Sequence, residues 1–142
     1  MVADAELVRD RMARIARLVR DLESFRQISL EDFQRNQERQ YAVLHALQLS
    51  IEASIEIATH ICAADALGVP ATYADAFELL AKHGVTDSPL TDRLRAMARF
   101  RNRIVHSYWE LDAAEVHRII HERLGDFNEY LRAVDRYLTA SA

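Results

Sequence analysis

The chain has 142 residues, half of them hydrophobic, with a formal net charge of −4 and a pI near 5.8. That length fits one domain over 1–142 with a core of its own, and that hydrophobic share excludes a disordered chain. The acidic balance excludes nucleic-acid binding by bulk charge, so any contact with RNA must come from a local basic patch.

Three glycines and two prolines are too few for the turns of a strand-rich fold, which points to helices. Cys62 is the only cysteine, so an intrachain disulfide and a cysteine-based zinc site are both ruled out. Lys82 is the only lysine, and the other cations are arginines, which suit two-pronged phosphate recognition. No apolar run is long enough to cross a membrane, and Met1-Val2-Ala3-Asp4 has no signal-peptide pattern, so the cytoplasm is the expected address.

In chain order, Asp4 caps a first helix whose apolar stripe is Val8, Met12, Ile15, Val19 and Leu22, running to about Phe25. Ser29 opens a second. Its stripe of Phe33, Tyr41, Leu44, Leu47, Ile51, Ile55, Ala58 and Cys62 predicts one uninterrupted helix of roughly nine turns, closed by Gly68 and Pro70. Thr72 caps a short third helix with Phe77, Leu79 and Leu80, closed by Gly84. Asp87-Ser88-Pro89 opens a fourth through Leu94, Met97 and Phe100, with proline at the first turn, where a missing N–H is harmless. Asp112 caps a last helix carrying Val116, Ile119, Ile120, Leu124, Phe127, Leu131 and Val134. The expected fold is all-α, an up-down four-helix bundle with one additional short helix. Several stripes are wide for so small a protein, which points to a homodimer that buries one of them.

The segment Arg99-Phe100-Arg101-Asn102-Arg103-Ile104-Val105-His106-Ser107-Tyr108-Trp109 is the densest cluster of cationic and aromatic side chains. On a helix advancing roughly 100° per residue, Arg95, Arg99, Arg103 and His106 share one face with Asn102 beside them. Arg101 falls instead among Leu94, Met97, Ile104 and Val105, on the apolar stripe. A solvated arginine does not belong there. Either it is buried against a partner group, for which Glu52 and Glu56 are candidates, or the stripe faces a second subunit and Arg101 sits at that seam. Asn102 has two equal readings: it orients the loop or His106, or it makes a helix-terminal backbone bond.

Other pairings carry less. His117 and His121 stand four apart with Glu122 adjacent, a spacing that can bind zinc, but no third ligand lies at a telling distance. Glu52, Glu56 and His60 miss the Glu-X-X-His spacing of di-iron bundles, so a solvated or salt-bridged face is expected there. No cofactor and no metal is expected.

Arg101, four residues, His106, one residue, Tyr108 resembles the Arg-X4-His-X-Tyr signature of the HEPN superfamily, and in particular the HepT-like toxins. The asparagine after the arginine is shared. The likeness extends to Tyr41-Ala42-Val43 and Ile51-Glu52-Ala53, the Gly68-to-Tyr73 turn and the Asp112-to-Val116 helix start. Arg103 and Ser107 depart from the pattern, standing where an apolar and an acidic residue are common.

The resemblance implies a metal-independent endoribonuclease toxin of a type VII toxin–antitoxin pair. In it Arg101 and His106 are catalytic, Asn102 is supporting, and Arg95, Arg99 and Arg103 contact RNA. It further implies a homodimer with facing motifs. The implied partner is a minimal nucleotidyltransferase antitoxin that transfers AMP to Tyr108. If the helix ends near His106, both His106 and Tyr108 can face the cleft. The bland alternative for Tyr108 is an interfacial tyrosine beside Trp109. The alternative for the whole chain is a non-catalytic helical partner of a nucleotidyltransferase.

Overall fold

The computed structural model describes residues 3–140. Four long helices, α1 (Ala5–Glu23), α3 (Gln37–Ala64), α5 (Ser88–Ser107) and α7 (Leu124–Ala140), alternate with three short ones, α2 (Leu30–Arg35), α4 (Tyr73–Lys82) and α6 (Ala113–Glu122). There is no strand among the described residues. None of their helices is long and apolar enough to cross a membrane.

The fold is all-α, as expected, and the expected caps are in place. Asp4, Ser29, Asp87 and Asp112 each accept from a backbone amide in the first turn of their helix, and Thr72 and Asp75 form a reciprocal capping box on α4. Two expected helices are in fact broken. The run from Ser29 to Cys62 bends at Asn36 (φ −115°, ψ 89°), whose side chain caps α3 by accepting from the Arg39 amide at 3.0 Å. The run from Asp112 to Val134 breaks at Arg123 (φ −117°), which separates α6 from α7. That break lets α6 pack beside α2 while α7 returns along α1 and α5. The helix expected to close at Gly68 ends at Ala64 instead. Ala66 then turns left-handed (φ +55°), and Gly68 (φ +136°) passes so close to Leu79 that a Cβ would meet its Cδ2 at 2.9 Å.

The core centres on α3. Val43, Leu47, Ile51, Ile55, Ala58 and Ile61 are buried on several sides of it, the pattern of a helix surrounded by others. Ser50 and Ser54, also buried, satisfy their hydroxyls on the carbonyls of Ala46 and Ser50, each at 2.8 Å. The buried Tyr130 hydroxyl of α7 donates to the Ser54 carbonyl at 2.9 Å, and burial pushes that phenol well above its ordinary pKa. Arg11 of α1 reaches Glu56 at 2.6 Å while the Asp4 amide donates to His60 at 2.9 Å, so α1 runs antiparallel to α3. Under α4, Cys62 is buried with its Sγ 3.7 Å from the Ala76 carbonyl.

His117 and His121 staple α6 to the turn before α2. His117 Nε2 lies 2.9 Å from the Ile28 carbonyl, and the His121 ring nitrogens face the carbonyls of His117 and Arg26.

Candidate active site

Leu90, Leu94, Ala98 and Ile104 bury one face of α5, and Arg101 points the same way. Its side chain is only 17% exposed, with Nη2 and Nε donating to Glu52 Oε1 at 3.2 and 3.3 Å. Gln48, one turn earlier on α3, donates to the same oxygen at 2.9 Å. The Arg101 guanidinium lies 5.2 Å from the ring centroid of Tyr73, within cation–π range, and its Nη1 donates to Asn102 Oδ1 at 3.3 Å. Of the two placements left open for Arg101, the structure thus shows burial against a partner group, supplied by its own chain. Asn102 accepts from the Arg101 guanidinium through Oδ1 and makes no bond to His106 among the described residues.

The side chains of Arg101, Asn102 and His106 line one open cleft of about 620 Å³, together with Thr59 of α3 and the stretch from Pro70 to Tyr73 that leads into α4. A hollow of about 220 Å³ lined by Glu52, Glu56, Thr59, Tyr73 and Arg101 continues it. His106 is exposed, and its ring nitrogens bond to no described residue. The cleft therefore combines a guanidinium held by Glu52 with an exposed, unengaged imidazole. Glu56, by contrast, is committed to Arg11.

The three further arginines divide rather than share one face. Arg95 reaches Glu78 of α4 at 3.1 Å. Arg103 turns to the other flank and forms a two-pronged pair with Glu115 of α6 at 2.6 and 3.0 Å, which raises its already high pKa further. Arg99 stands over the groove between α5 and α6–α7. The stripe splits because α5 has helices packed on both sides, and each neighbour offers a carboxylate.

Tyr108 is separated from the cleft as well. α5 ends at Ser107, and a 3₁₀ turn over Tyr108–Glu110 carries the tyrosine toward the first turns of α3. There Tyr108 and Trp109, both exposed, line a small hollow with Gln37, Gln40, Tyr41 and Leu44. The helix ends one residue past His106, yet the two side chains do not face one cleft within the chain.

Tyr73 and Gln48 belong to the site and are not singled out by the sequence reading. Their roles depend on α3 and α4 lying against α5, which periodicity within one helix cannot reveal. Among the described residues, no group of three His, Cys, Asp or Glu side chains could hold a metal ion.

The sequence profile described as ribonuclease HepT-like matches residues 15–134. This chain belongs to that family. It is 37% identical over 95 residues to the mRNA nuclease HepT of Shewanella oneidensis, covering 67% of this chain and 71% of that protein. It is 30% identical over 132 residues to the tRNA nuclease HepT of Aphanizomenon flos-aquae, covering 93% of this chain and 90% of that one. Its fold superposes with a TM-score of 0.86 and 29% identity on a tri-AMPylated Shewanella oneidensis HEPN toxin solved in complex with MNT antitoxin, over 94% of this chain and 99% of that one. The HepT-like family is one of ribonucleases.

Proposed function

We propose that this HepT-like chain is the toxin of a toxin–antitoxin pair and cuts RNA endonucleolytically without a metal at the Arg101–His106 cleft. The observation that carries this reading is that the two groups the reaction needs line one open cleft, one held by Glu52 and the other unengaged. RNA brings its own nucleophile. His106 accepts the proton of a 2′-hydroxyl, whose oxygen attacks the adjacent phosphorus. Arg101 lies against the phosphorane and stabilises its developing charge. The 5′-oxygen departs with a proton, leaving a 2′,3′-cyclic phosphate. Asn102 and Tyr73 keep the guanidinium oriented. Arg99 and, once released from Glu115, Arg103 meet the RNA backbone, with Arg95 as a peripheral cation.

A second copy supplies the acid for the leaving oxygen as the partner subunit's His106. Tyr41, Tyr108 and Trp109 form an exposed aromatic patch beside the catalytic end of α5, with Val105 on the preceding turn, and this patch fits the homodimer seam. The other partner is a minimal nucleotidyltransferase antitoxin that adds AMP to Tyr108. Tyr108 is 53% exposed and so open to modification, and AMP there places bulk and negative charge at the seam two residues from His106. The site of action is the cytoplasm.

Incubation of the purified chain with defined RNAs in EDTA, with the ends mapped, tests this reading. Internal cuts that leave 2′,3′-cyclic phosphates are expected, and their loss in His106→Ala and in Arg101→Ala. Full activity in both variants overturns the assignment. Intact-mass measurement after co-expression with the antitoxin should show added nucleotidyl mass in the wild type and none in Tyr108→Phe.

A further inference from the structure

A groove of about 480 Å³ runs between α5 and the α6–α7 pair, on the other flank of α5 from the catalytic cleft. Met97, Phe100, Ile119 and Phe127 contribute its apolar floor. Five arginines, at positions 93, 99, 103, 118 and 123, line it against three carboxylates, Asp92, Glu115 and Asp126. The groove thus carries two more arginines than carboxylates in a chain of net charge −4.

Not all of this charge is free. Arg93 is held by Asp126 and Glu129, although its buried Nε has no hydrogen-bond partner among the described residues. Arg103 is closed on Glu115 and lies 5.7 Å from the centroid of the Phe100 ring. Arg99, Arg118 and Arg123 are exposed and form no ion pair within 4 Å of a described carboxylate, although the charge of Arg123 acts on Asp126. These three surround an apolar surface, a combination suited to a ligand with a flat apolar body and a phosphate.

The outward ridge of α5 separates the groove from the catalytic cleft, and the two share no lining residue. Arg99, Asn102, Arg103 and His106 follow one another on that ridge, at i, i+3, i+4 and i+7. The ridge is one helix wide, about 10 Å, which a stretched single strand crosses within about two nucleotides. We propose that the groove is a second RNA subsite, which takes a nucleotide flanking the scissile phosphate. Its base rests on the Met97–Ile119 floor and its phosphate meets Arg99, Arg118 and Arg123. A single strand is the form that fits, because only an unpaired base can be turned into such a pocket. The Arg103–Glu115 pair stands at the edge, where a phosphate can take the place of the carboxylate. This inference rests on the ribonuclease reading and extends it to two arginines of α6 and its end that the motif does not contain.

The test uses the full chain and a 12-nucleotide single-stranded RNA, with binding measured on the same RNA carrying 2′-deoxy sugars so that it cannot be cut. Arg118→Ala/Arg123→Ala is expected to raise KM about tenfold or more, with the effect on KM exceeding that on kcat. The slope of log affinity against log salt should fall by up to about 0.7, the value for one single-strand phosphate contact. The lysine pair Arg118→Lys/Arg123→Lys should recover most of the loss, and Ile119→Asp should reproduce it through the floor. Both arginines are exposed, so melting temperatures should match the wild type. If the wild type cuts RNA and the alanine pair keeps its KM and salt slope, the subsite is overturned while the nuclease reading stands. If the alanine pair loses only its association with the antitoxin, the groove is a protein dock and the proposal falls. A wild type that neither cuts nor binds RNA overturns the nuclease reading, and the subsite with it.

Discussion

The two ends of α5 differ in what their inward-facing positions hold. In the first three turns these positions are Leu90, Leu94 and Ala98, all buried, behind a capped start with proline in the first turn. In the last two turns the same face holds Arg101 before Ile104 packs again, and at Arg101 packing gives way to one shared carboxylate oxygen, one amide and one aromatic ring. A charged group turned toward the core must be satisfied there, and satisfying it also immobilises it. One helix is thus a packing element at its start and a mount for a cation at its end, and the free imidazole follows where the helix runs out.

Four substitutions break or sharpen that contrast. His106→Ala should have the largest effect, a rate loss of about 10²–10⁴-fold with an unchanged melting temperature, because an exposed proton carrier contributes to the reaction and little to the fold. A parallel loss of stability would show that the end of α5 is structural after all. Leu94→Ala should do the reverse, destabilising by about 2–5 kcal/mol in denaturant titration while the folded fraction retains its kcat. Glu52→Gln comes next. It keeps an acceptor but removes the charge that fixes Arg101, and kcat should fall by up to about 10²-fold with a smaller change in stability. If stability falls and the rate does not, the pair belongs with the packing half. Asp87→Ala should have the smallest effect, about 1 kcal/mol of stability from the lost cap, with no change in rate.

Much of this contrast was legible in the sequence, for identifiable reasons. Caps announce helix starts through short polar side chains, and Asp4, Ser29, Thr72, Asp87 and Asp112 all serve as expected. The misfit of Arg101 on an apolar stripe left two placements open, an internal ion pair with an acid of α3 or a subunit seam, and the structure shows the ion pair with Glu52. The breaks at Asn36 and Arg123 were hidden because the apolar period continues across both, so only the backbone angles reveal the change of direction. Asn36 is itself a capping residue in the middle of a stripe, the one local sign of a restart. Tyr73 reaches the site through the packing of α4 on α5, and Tyr108 leaves it through a 3₁₀ turn after Ser107, neither of which spacing alone encodes. The division of Arg95, Arg99 and Arg103 between two flanks required knowing which acids the neighbouring helices present.

The lone thiol under α4 gives the molecule a built-in clock. Cys62 is 1% exposed beneath the Ala76 carbonyl, with Tyr130 and Tyr137 of α7 also near it, and burial pushes its pKa up, so a thiol reagent needs an opening of this packing, for which lifting of α4 from α3 is one route. α4 also brings Tyr73 to Arg101, so the same excursion dismantles the mount of the guanidinium. The labelling rate in native buffer should therefore set an upper limit on how often the cleft comes apart by this route. RNA that fills the cleft and bridges α4 to α5 should slow that rate, with no added probe and no other cysteine to confuse the signal.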